Sequence, residues 1–162
     1  MNILFLQTGG TIDKDYEKGR KAYLFEITDP AVERVLKRTH PNFDFRVVSI
    51  TKKDSLDLTD DDRELIFQAC EKSPEKNIVI THGTDTMTVT AELLTKVKDK
   101  TIVITGASRP ERFTDSDAPF NLGCAISAVQ TLQSGVYIAM SGRIYDWDKC
   151  EKAEDGQFVE KQ

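Results

Sequence analysis

The sequence predicts an α/β protein whose doubly wound, flavodoxin-like parallel sheet has five strands, with helices on both faces. Short apolar runs alternate with amphipathic segments along the whole chain, which is the pattern of a parallel sheet covered by helices. The runs are rich in Val, Ile and Leu, as strands buried on both faces are. A length of 162 residues fits one domain, and no internal repeat or linker divides it.

Five apolar runs are predicted to be strands, at residues 2–7, 45–50, 77–81, 101–105 and 135–140. Because crossovers between parallel strands are right-handed, we expect the strand order 2-1-3-4-5. In that order the first and third strands are neighbours at the point where the winding of the sheet reverses. Ligands bind at such a point, beyond the carboxyl ends of the strands.

Four helices are predicted between the strands. Asp29 is the expected N-cap of the first helix, with Pro30 at its first position. Thr59 is the expected cap of the second, and the acidic run at residues 60–62 then lies at a positive helix end rather than at a metal site. The faces expected to be buried are Val32, Val35 and Leu36; Leu65, Ile66, Ala69 and Cys70; Met87, Ala91, Leu94 and Val97; and Leu122, Ala125, Ile126, Val129 and Leu132, the last helix having Pro119 near its first turn.

Composition narrows the range of functions. The 22 basic and 27 acidic residues give a net charge of −5, which argues against a nucleic-acid or anionic-membrane partner. No apolar stretch approaches the roughly 20 residues of a membrane helix, and the start lacks the basic segment of a signal peptide. Cys70, Cys124 and Cys150 form no C-x-x-C pair, so we expect a reduced, cytoplasmic protein with neither metal nor cofactor.

The first predicted strand runs into Thr8-Gly9-Gly10-Thr11-Ile12-Asp13. Two glycines allow a sharp turn and a close approach of a ligand to N–H groups that can bind an oxyanion, and Thr11 adds a hydroxyl. A phosphate loop is a poorer interpretation, because neither G-x-G-x-x-G nor G-K-[ST] is present. A tight turn with a threonine N-cap remains the purely structural alternative.

The third predicted strand runs into Thr81-His82-Gly83-Thr84-Asp85-Thr86. Alone, Asp85 is equally well explained as a helix N-cap, and His82 is expected to be structural. Together, the two Gly-Thr loops place two hydroxyls and a carboxylate around one volume. A small cationic or zwitterionic ligand suits that volume, because Asp85 can pair with an ammonium group.

These loops resemble those of the bacterial-type L-asparaginase family, amidohydrolases that convert asparagine to aspartate and ammonia. The resemblance spans residues 2 to about 152, in keeping with the expected single domain. It is carried by Thr8-Gly9-Gly10-Thr11-Ile12, Thr81-His82-Gly83-Thr84-Asp85-Thr86-Met87, Gly106-Ala107-Ser108-Arg109-Pro110, Asp117-Ala118-Pro119-Phe120-Asn121-Leu122 and the Asp-Ser loop Lys53-Asp54-Ser55-Leu56-Asp57-Leu58-Thr59.

The resemblance implies a role for each matching residue. Thr11 corresponds to the nucleophile, Thr84 to the second threonine, and Asp85 to the carboxylate that binds the substrate's ammonium group. Ser55 corresponds to the group that holds the α-carboxylate, and Ala107 to a main-chain contact with the leaving amide. The implied substrate-binding set is Gly10, Asp54, Ser55, Gly83, Asp85 and Ala107.

The resemblance implies two further catalytic residues, a lysine and a tyrosine. A family lysine bridges the second threonine and the aspartate; counted without gaps from Met140 it falls on Lys152, with Lys149 as the alternative. A family tyrosine on a mobile loop contacts the nucleophile, and we assign it to Tyr16 rather than Tyr23. The polar segment at residues 13–21 is then the expected solvent-exposed lid.

The resemblance also implies an organisation. Typical members carry a second, C-terminal domain, and a neighbouring subunit completes their site. Residues 1–162 are therefore expected to form a single N-terminal-type domain, with the second domain absent, that assembles as a homodimer or higher homo-oligomer. Hydrolysis of L-asparagine is the expected activity; the alternatives are a broader asparaginase/glutaminase amidase, a non-catalytic asparagine- or aspartate-binding module and, third, a phosphate- or nucleotide-binding protein.

Overall fold

A six-stranded sheet forms the centre of the protein in a computed structural model, which describes residues 2–16 and 24–161. The strand order is β4-β1-β5-β6-β7-β8, with two separate hairpins, β2–β3 and β9–β10. The elements are β1 (Asn2–Gly9), β2 (Lys14–Tyr16), β3 (Phe25–Ile27), α1 (Ala31–Thr39), β4 (Asp44–Lys53), α2 (Asp60–Lys72), β5 (Asn77–Thr81), α3 (Met87–Leu94), β6 (Thr101–Thr105), α4 (Ala118–Thr131), β7 (Gly135–Met140), β8 (Arg143–Asp146), β9 (Cys150–Lys152) and β10 (Phe158–Glu160).

The predicted fold class is confirmed, and so is the order of the five parallel strands. The sheet has one strand more than the five predicted, because β8 pairs antiparallel with β7. Ser141 and Gly142 both have positive φ, 52° and 82°, and reverse the chain between these two strands. The edge strand β8 has only four residues, and Tyr145 is the one buried side chain among them. Its sequence therefore lacks the apolar pattern from which a strand is predicted.

Each face of the sheet has its own apolar core. Alternate residues of β1 point to opposite faces. Leu4 and Leu6 pack in the core under α2 and α3, whereas Ile3 and Phe5 pack in the core under α1 and α4. Helices on both faces are therefore confirmed. Among the described residues, no helix is long and apolar enough to cross a membrane.

The start of α1 differs from the prediction. Pro30 has an extended ψ of 121° and lies at the N-cap position, so the helix begins at Ala31 and not at the proline. Asp29 is no cap, since Pro30 separates it from the first helical residue and its carboxylate lies 3.6 Å from the Lys52 ammonium instead. The Ala31 N–H instead donates a hydrogen bond of 2.7 Å to Oδ1 of the buried Asp13. A carboxylate from the first loop thus takes the capping role predicted for Asp29.

Thr59 is the N-cap of helix α2, as predicted, but the buried face of the helix differs from the predicted one. Leu65 is 53% exposed, and Arg63 is turned inward instead. The Arg63 guanidinium donates to the Leu58 carbonyl at 3.0 Å and to Thr86 Oγ1 at 3.3 Å. These polar acceptors make an inward arginine favourable, and hydrophobic periodicity alone does not detect them.

A capping box fixes the start of α2 to the end of β4. The Asp62 N–H donates to Thr59 Oγ1 at 3.2 Å, and the Thr59 N–H donates to Asp62 Oδ2 at 2.8 Å. Lys53 Nζ lies 2.7 Å from the same Oδ2. The Lys53 ammonium, with the Thr59 N–H and hydroxyl donors, lowers the pKa of Asp62 to about 2.

We predict that Asp62→Asn lowers the free energy of unfolding at neutral pH by about 1–2 kcal/mol, allowing for the exposure of Lys53. Because the folded pKa of Asp62 is depressed, its contribution is present above the ordinary value of 3.8 and is lost as the pH falls through about 2. Urea denaturation across this range measures the effect. Asp61→Asn, an exposed aspartate on the same turn, is the control, and an equal loss in both variants would contradict the prediction.

Candidate functional site

Three loops meet at the carboxyl edge of the sheet. Strands β1 and β5 are neighbours there, with Gln7 opposite Thr81, and β4 lies on the other side of β1, with Lys53 opposite Gly9. Each strand is followed by a loop that holds predicted site residues. The crevice expected where the winding reverses therefore lies between the loops after β1, β4 and β5.

Backbone contacts nest these loops into one another. A Cβ on Gly10, whose φ is 83°, would lie 2.4 Å from Cα and N of Gly83. A Cβ on Gly83 would in turn lie 2.8 Å from the backbone N, Cβ and Oγ of Ser55. The residues that precede Thr11 and Thr84 are therefore in direct backbone contact, and only glycine allows that approach.

Thr11 begins a short 3-10 turn, Thr11–Asp13, on the edge of the crevice. The turn is closed by the Asp13 N–H, which donates to the Gly10 carbonyl at 3.2 Å. The N–H of Gly10 donates to the Lys53 carbonyl at 3.0 Å, so it is occupied and is not free for an oxyanion. The Thr11 N–H, which has no acceptor within its own turn, is one donor that this loop can offer instead.

The side chain of Lys152 contacts the loop after β5. Its Nζ donates to Thr84 Oγ1 at 2.8 Å and to Asp85 Oδ1 at 2.6 Å. The other candidate, Lys149, has its ammonium 3.7 Å from Asp148. Asp85 makes no cap hydrogen bond to α3, whose N-cap is Thr86, so the N-cap alternative is not what the structure contains.

The position of Lys152 is set by the β9–β10 hairpin. Cys150 and Phe158 are buried in the core under α2 and α3, and the Tyr145 hydroxyl donates to the Phe158 carbonyl at 2.8 Å. Lys152 pairs with Phe158 in this hairpin. The hairpin, which was not among the predicted elements, therefore carries a lysine from far along the chain back to β5.

The Asp-Ser loop contacts both neighbouring loops. Ser55 is buried, its Oγ accepts from the Asp85 N–H at 3.2 Å, and its carbonyl accepts from Thr86 Oγ1 at 2.9 Å. The Ser55 hydroxyl hydrogen stays available for a ligand acceptor. Asp54 pairs with Lys14 at 2.9 Å, so a positive charge offsets this carboxylate.

Ala107 is buried in the loop after β6, which Asp117 and Asn121 hold in place from the start of α4. The Asp117 carboxylate accepts from the N–H groups of Ser108 and Arg109, each at 3.0 Å. Asn121 donates to the Gly106 carbonyl at 3.0 Å. Neither Asp117 nor Asn121 was assigned a role from the sequence, although their spacing of four at a helix start was the available signal.

Tyr16 is not brought to Thr11. It lies in β2, 53% exposed, with its ring centroid 5.1 Å from that of Phe25. In the parts of the chain that are described, no hydrogen bond joins Tyr16 to Thr11. Tyr23 and residues 17–21 of the predicted lid lie outside those parts. The first residue of that lid, Asp13, is buried rather than exposed, which corrects the prediction.

His82 has structural contacts, as predicted. Its Nδ1 lies 2.6 Å from the Gly83 carbonyl and its Nε2 lies 2.8 Å from Thr90 Oγ1. Burial lowers the pKa of His82 to about 4, so the ring is neutral near pH 7. A carbonyl only accepts, so Nδ1 is the donor and Nε2 accepts from Thr90. The ring thereby ties the loop after β5 to α3.

Comparison with known proteins identifies a matching family model and several relatives. Residues 2–158 match the family model described as "Asparaginase, N-terminal". The chain is 30% identical over 161 residues to a glutaminase-asparaginase of Acinetobacter glutaminasificans, covering 89% of this chain and 47% of that protein. It is 32% identical over 158 residues to one of the subunits of the glutamyl-tRNA(Gln) amidotransferase of Methanococcus vannielii, covering 90% and 35%.

The solved structures with a similar fold include an L-asparaginase. The thermostable L-asparaginase from Thermococcus kodakarensis superposes with a TM-score of 0.81 and 27% sequence identity, over 99% of this chain and 51% of that one. The chain thus spans between about a third and a half of the length of the proteins it matches.

We predict that Gly10→Ala lowers the free energy of unfolding by at least about 3 kcal/mol, because the added methyl group meets the Gly83 backbone at a positive φ. Gly123→Ala is the matched control. Gly123 lies in α4 with open space around its Cα, so alanine there should stabilise the protein by about 0.5–1 kcal/mol. Thermal denaturation measures both, and a neutral Gly10→Ala would show that the loops are not nested.

Proposed function

This chain belongs to the asparaginase family, and we propose that it is an amidohydrolase that converts L-asparagine to L-aspartate and ammonia. The observation that carries the proposal is the contact of Lys152 with both Thr84 and Asp85, beside a loop in backbone contact with the one that bears Thr11. Two hydroxyls, an ammonium and a carboxylate at one crevice are the groups that acyl transfer from a small zwitterion needs.

In the proposed reaction the Thr11 hydroxyl oxygen attacks the side-chain amide carbon. The Thr11 N–H stabilises the developing oxyanion, a kind of interaction worth on the order of 3 kcal/mol per donor. The bond to nitrogen breaks, ammonia leaves with the proton from the threonine, and an ester with Thr11 remains. Water then hydrolyses the ester and releases aspartate.

Thr84 and Lys152 activate the reacting groups. Because the Lys152 ammonium donates to Thr84 Oγ1, that oxygen acts as an acceptor toward the lysine and its hydrogen is directed elsewhere. The second lone pair of Thr84 Oγ1 then accepts a hydrogen bond from the attacking water of the second step, which increases the electron density on the water oxygen.

Asp85 and Ser55 hold the two charged ends of the amino acid. Oδ1 of Asp85 is bonded to Lys152, and the carboxylate remains half exposed, so it can also accept from the substrate's ammonium group. The Ser55 hydroxyl donates to the α-carboxylate. The pairing of Asp54 with Lys14 lowers the repulsion that a free carboxylate would exert on that group.

A non-catalytic asparagine- or aspartate-binding module is the second candidate. It is favoured by the position of Tyr16, which makes no described contact with Thr11. Activity on glutamine as well as asparagine is a broader form of the first proposal, since one matched protein is named a glutaminase-asparaginase. Homo-oligomer formation, a cytoplasmic location and the single-domain organisation stay predictions.

We predict ammonia release from L-asparagine by the purified protein, and a loss of roughly 10³-fold or more in both Thr11→Ala and Thr84→Ala. Thr11→Ser keeps the hydroxyl and should retain measurable activity. Thr131→Ala, at the far end of α4, removes a hydroxyl that bonds to carbonyls of its own helix and serves as the control. An assay with both asparagine and glutamine gives the preference between them.

Full activity of Thr11→Ala would exclude it as the nucleophile. Aspartate binding by calorimetry without any turnover by the wild-type protein would instead favour the binding module.

We predict that Lys152→Met lowers kcat by about 10²-fold or more, whereas Lys149→Met stays within about twofold of the wild type. Both changes remove one ammonium, three residues apart, and only the first removes the contact with Thr84 and Asp85. Steady-state ammonia release measures them. Equal effects would contradict the assignment of the relay to Lys152.

A further inference from the structure

The buried carboxylate of Asp13 is not used by the reaction outlined above, although it lies two residues after Thr11. We propose that Asp13 is a positioning residue for the nucleophile: it fastens the turn that carries Thr11 to the first turn of α1 and to the base of the β2–β3 hairpin. This inference rests on the proposed role of Thr11. It assigns a function to a residue that the family resemblance did not single out.

The side chain of Asp13 caps α1 from within the core. The residue is fully buried, and Oδ1 accepts from the Ala31 N–H at 2.7 Å. Within the described residues, Oδ2 is buried and has no hydrogen-bond partner. An acceptor at the N-terminus of a nine-residue helix is favourable, but a neutral side chain can cap a helix too, so a buried carboxylate needs another reason.

The backbone of Asp13 joins two segments, the Thr11 turn and the base of the β2–β3 hairpin. Its N–H closes the Thr11 turn on the Gly10 carbonyl at 3.2 Å. Its carbonyl accepts from the N–H of Thr28 at 2.9 Å and from the Thr28 hydroxyl at 3.2 Å. Thr28 directly follows β3, and Lys14, the next residue, pairs with Ile27. Any shift of Asp13 therefore moves the turn and the hairpin base together.

The charges around Asp13 favour its ionised form only in part. Arg34 of α1 faces it, and Arg34 is itself bonded to Glu111 of the loop before α4, which also pairs with Arg38. Gln7 of β1 and Thr81 of β5, also facing it, are uncharged. Burial raises the pKa of Asp13 to about 6, against the opposing effects of the Ala31 N–H and Arg34.

The pH dependence of the folding stability distinguishes a positioning role of Asp13 from a purely structural one. A raised folded pKa gives a stabilisation that is complete below the ordinary value of 3.8 and is lost as the pH rises through about 6. The ionised form that prevails near neutral pH is therefore the less stable one. It does, however, make the stronger, charge-assisted bond to Ala31, which holds the Thr11 turn more firmly.

The test compares wild type, Asp13→Asn, Asp13→Ala and the control Asp29→Asn, an exposed aspartate at the same helix start. At about pH 7.5 we expect Asp13→Asn to lower kcat roughly tenfold and Asp13→Ala roughly a hundredfold, with KM within about threefold of the wild type. The acid limb of kcat, with a midpoint of about 6, should be present in wild type and Asp29→Asn and absent in Asp13→Asn.

The midpoint of thermal unfolding is the second measurement. At about pH 7.5, Asp13→Asn should melt at or above the temperature of the wild type, so that its lower kcat does not reflect unfolding. Wild-type kcat, KM and acid limb in Asp13→Asn would overturn the proposal. A kcat loss that occurs only with a lower melting temperature would also overturn it, because Asp13 would then be merely structural.

A failure of the proposed function itself is distinguishable. If the wild type releases no ammonia, the amide resonance of Thr11 in NMR spectra still reports on the turn. Its titration with a midpoint of about 6 in wild type and Asp29→Asn, but not in Asp13→Asn, would support the positioning role without any turnover. A Thr11 amide whose chemical shift changes with neither the pH nor the substitution would reject the positioning role of Asp13.

Discussion

The contact between Gly10 and Gly83 is the constraint on which the candidate site depends. It holds the backbones of two loops so close that neither position has room for a Cβ, and Ser55 of a third loop packs directly against Gly83. The three loops follow strands whose ends the sheet register aligns. A rigid parallel sheet thus delivers the loops to one point, and the glycines let them nest there.

Around this nest, charges come in pairs that join different segments. Lys152 meets Asp85 at 2.6 Å, Lys53 meets Asp62 at 2.7 Å, and Lys14 meets Asp54 at 2.9 Å. Each pair contains one aspartate at or near the carboxyl edge of the sheet. The pairing leaves the crevice without a large field of either sign, which suits a ligand that carries both an ammonium and a carboxylate.

Sequence patterns predicted the parts of this protein that repeat a simple rule. Four of the parallel strands, β1, β5, β6 and β7, are short and mostly apolar because both of their faces are largely buried, so each was visible as a run. The edge strand β4 is longer and partly exposed, and only its more apolar middle was predicted. Local rules failed where a partner came from elsewhere in the chain. Asp29 is of a residue type common at N-caps, yet the carboxylate of Asp13 accepts the hydrogen bond from the start of α1. Arg63 is buried because Leu58 and Thr86 provide acceptors for its guanidinium.

The sequence by itself determined the fold class, the strand order and the two Gly-Thr loops, because periodicity, chirality and glycine placement are local properties of a chain. Only the tertiary structure decided which lysine meets Thr84, since Lys152 arrives on a hairpin too short and polar to be predicted. It also decided that Asp13 is buried and that the Gly10 N–H is already bonded. Burial and hydrogen-bond partners depend on residues distant in sequence, and no local pattern records them.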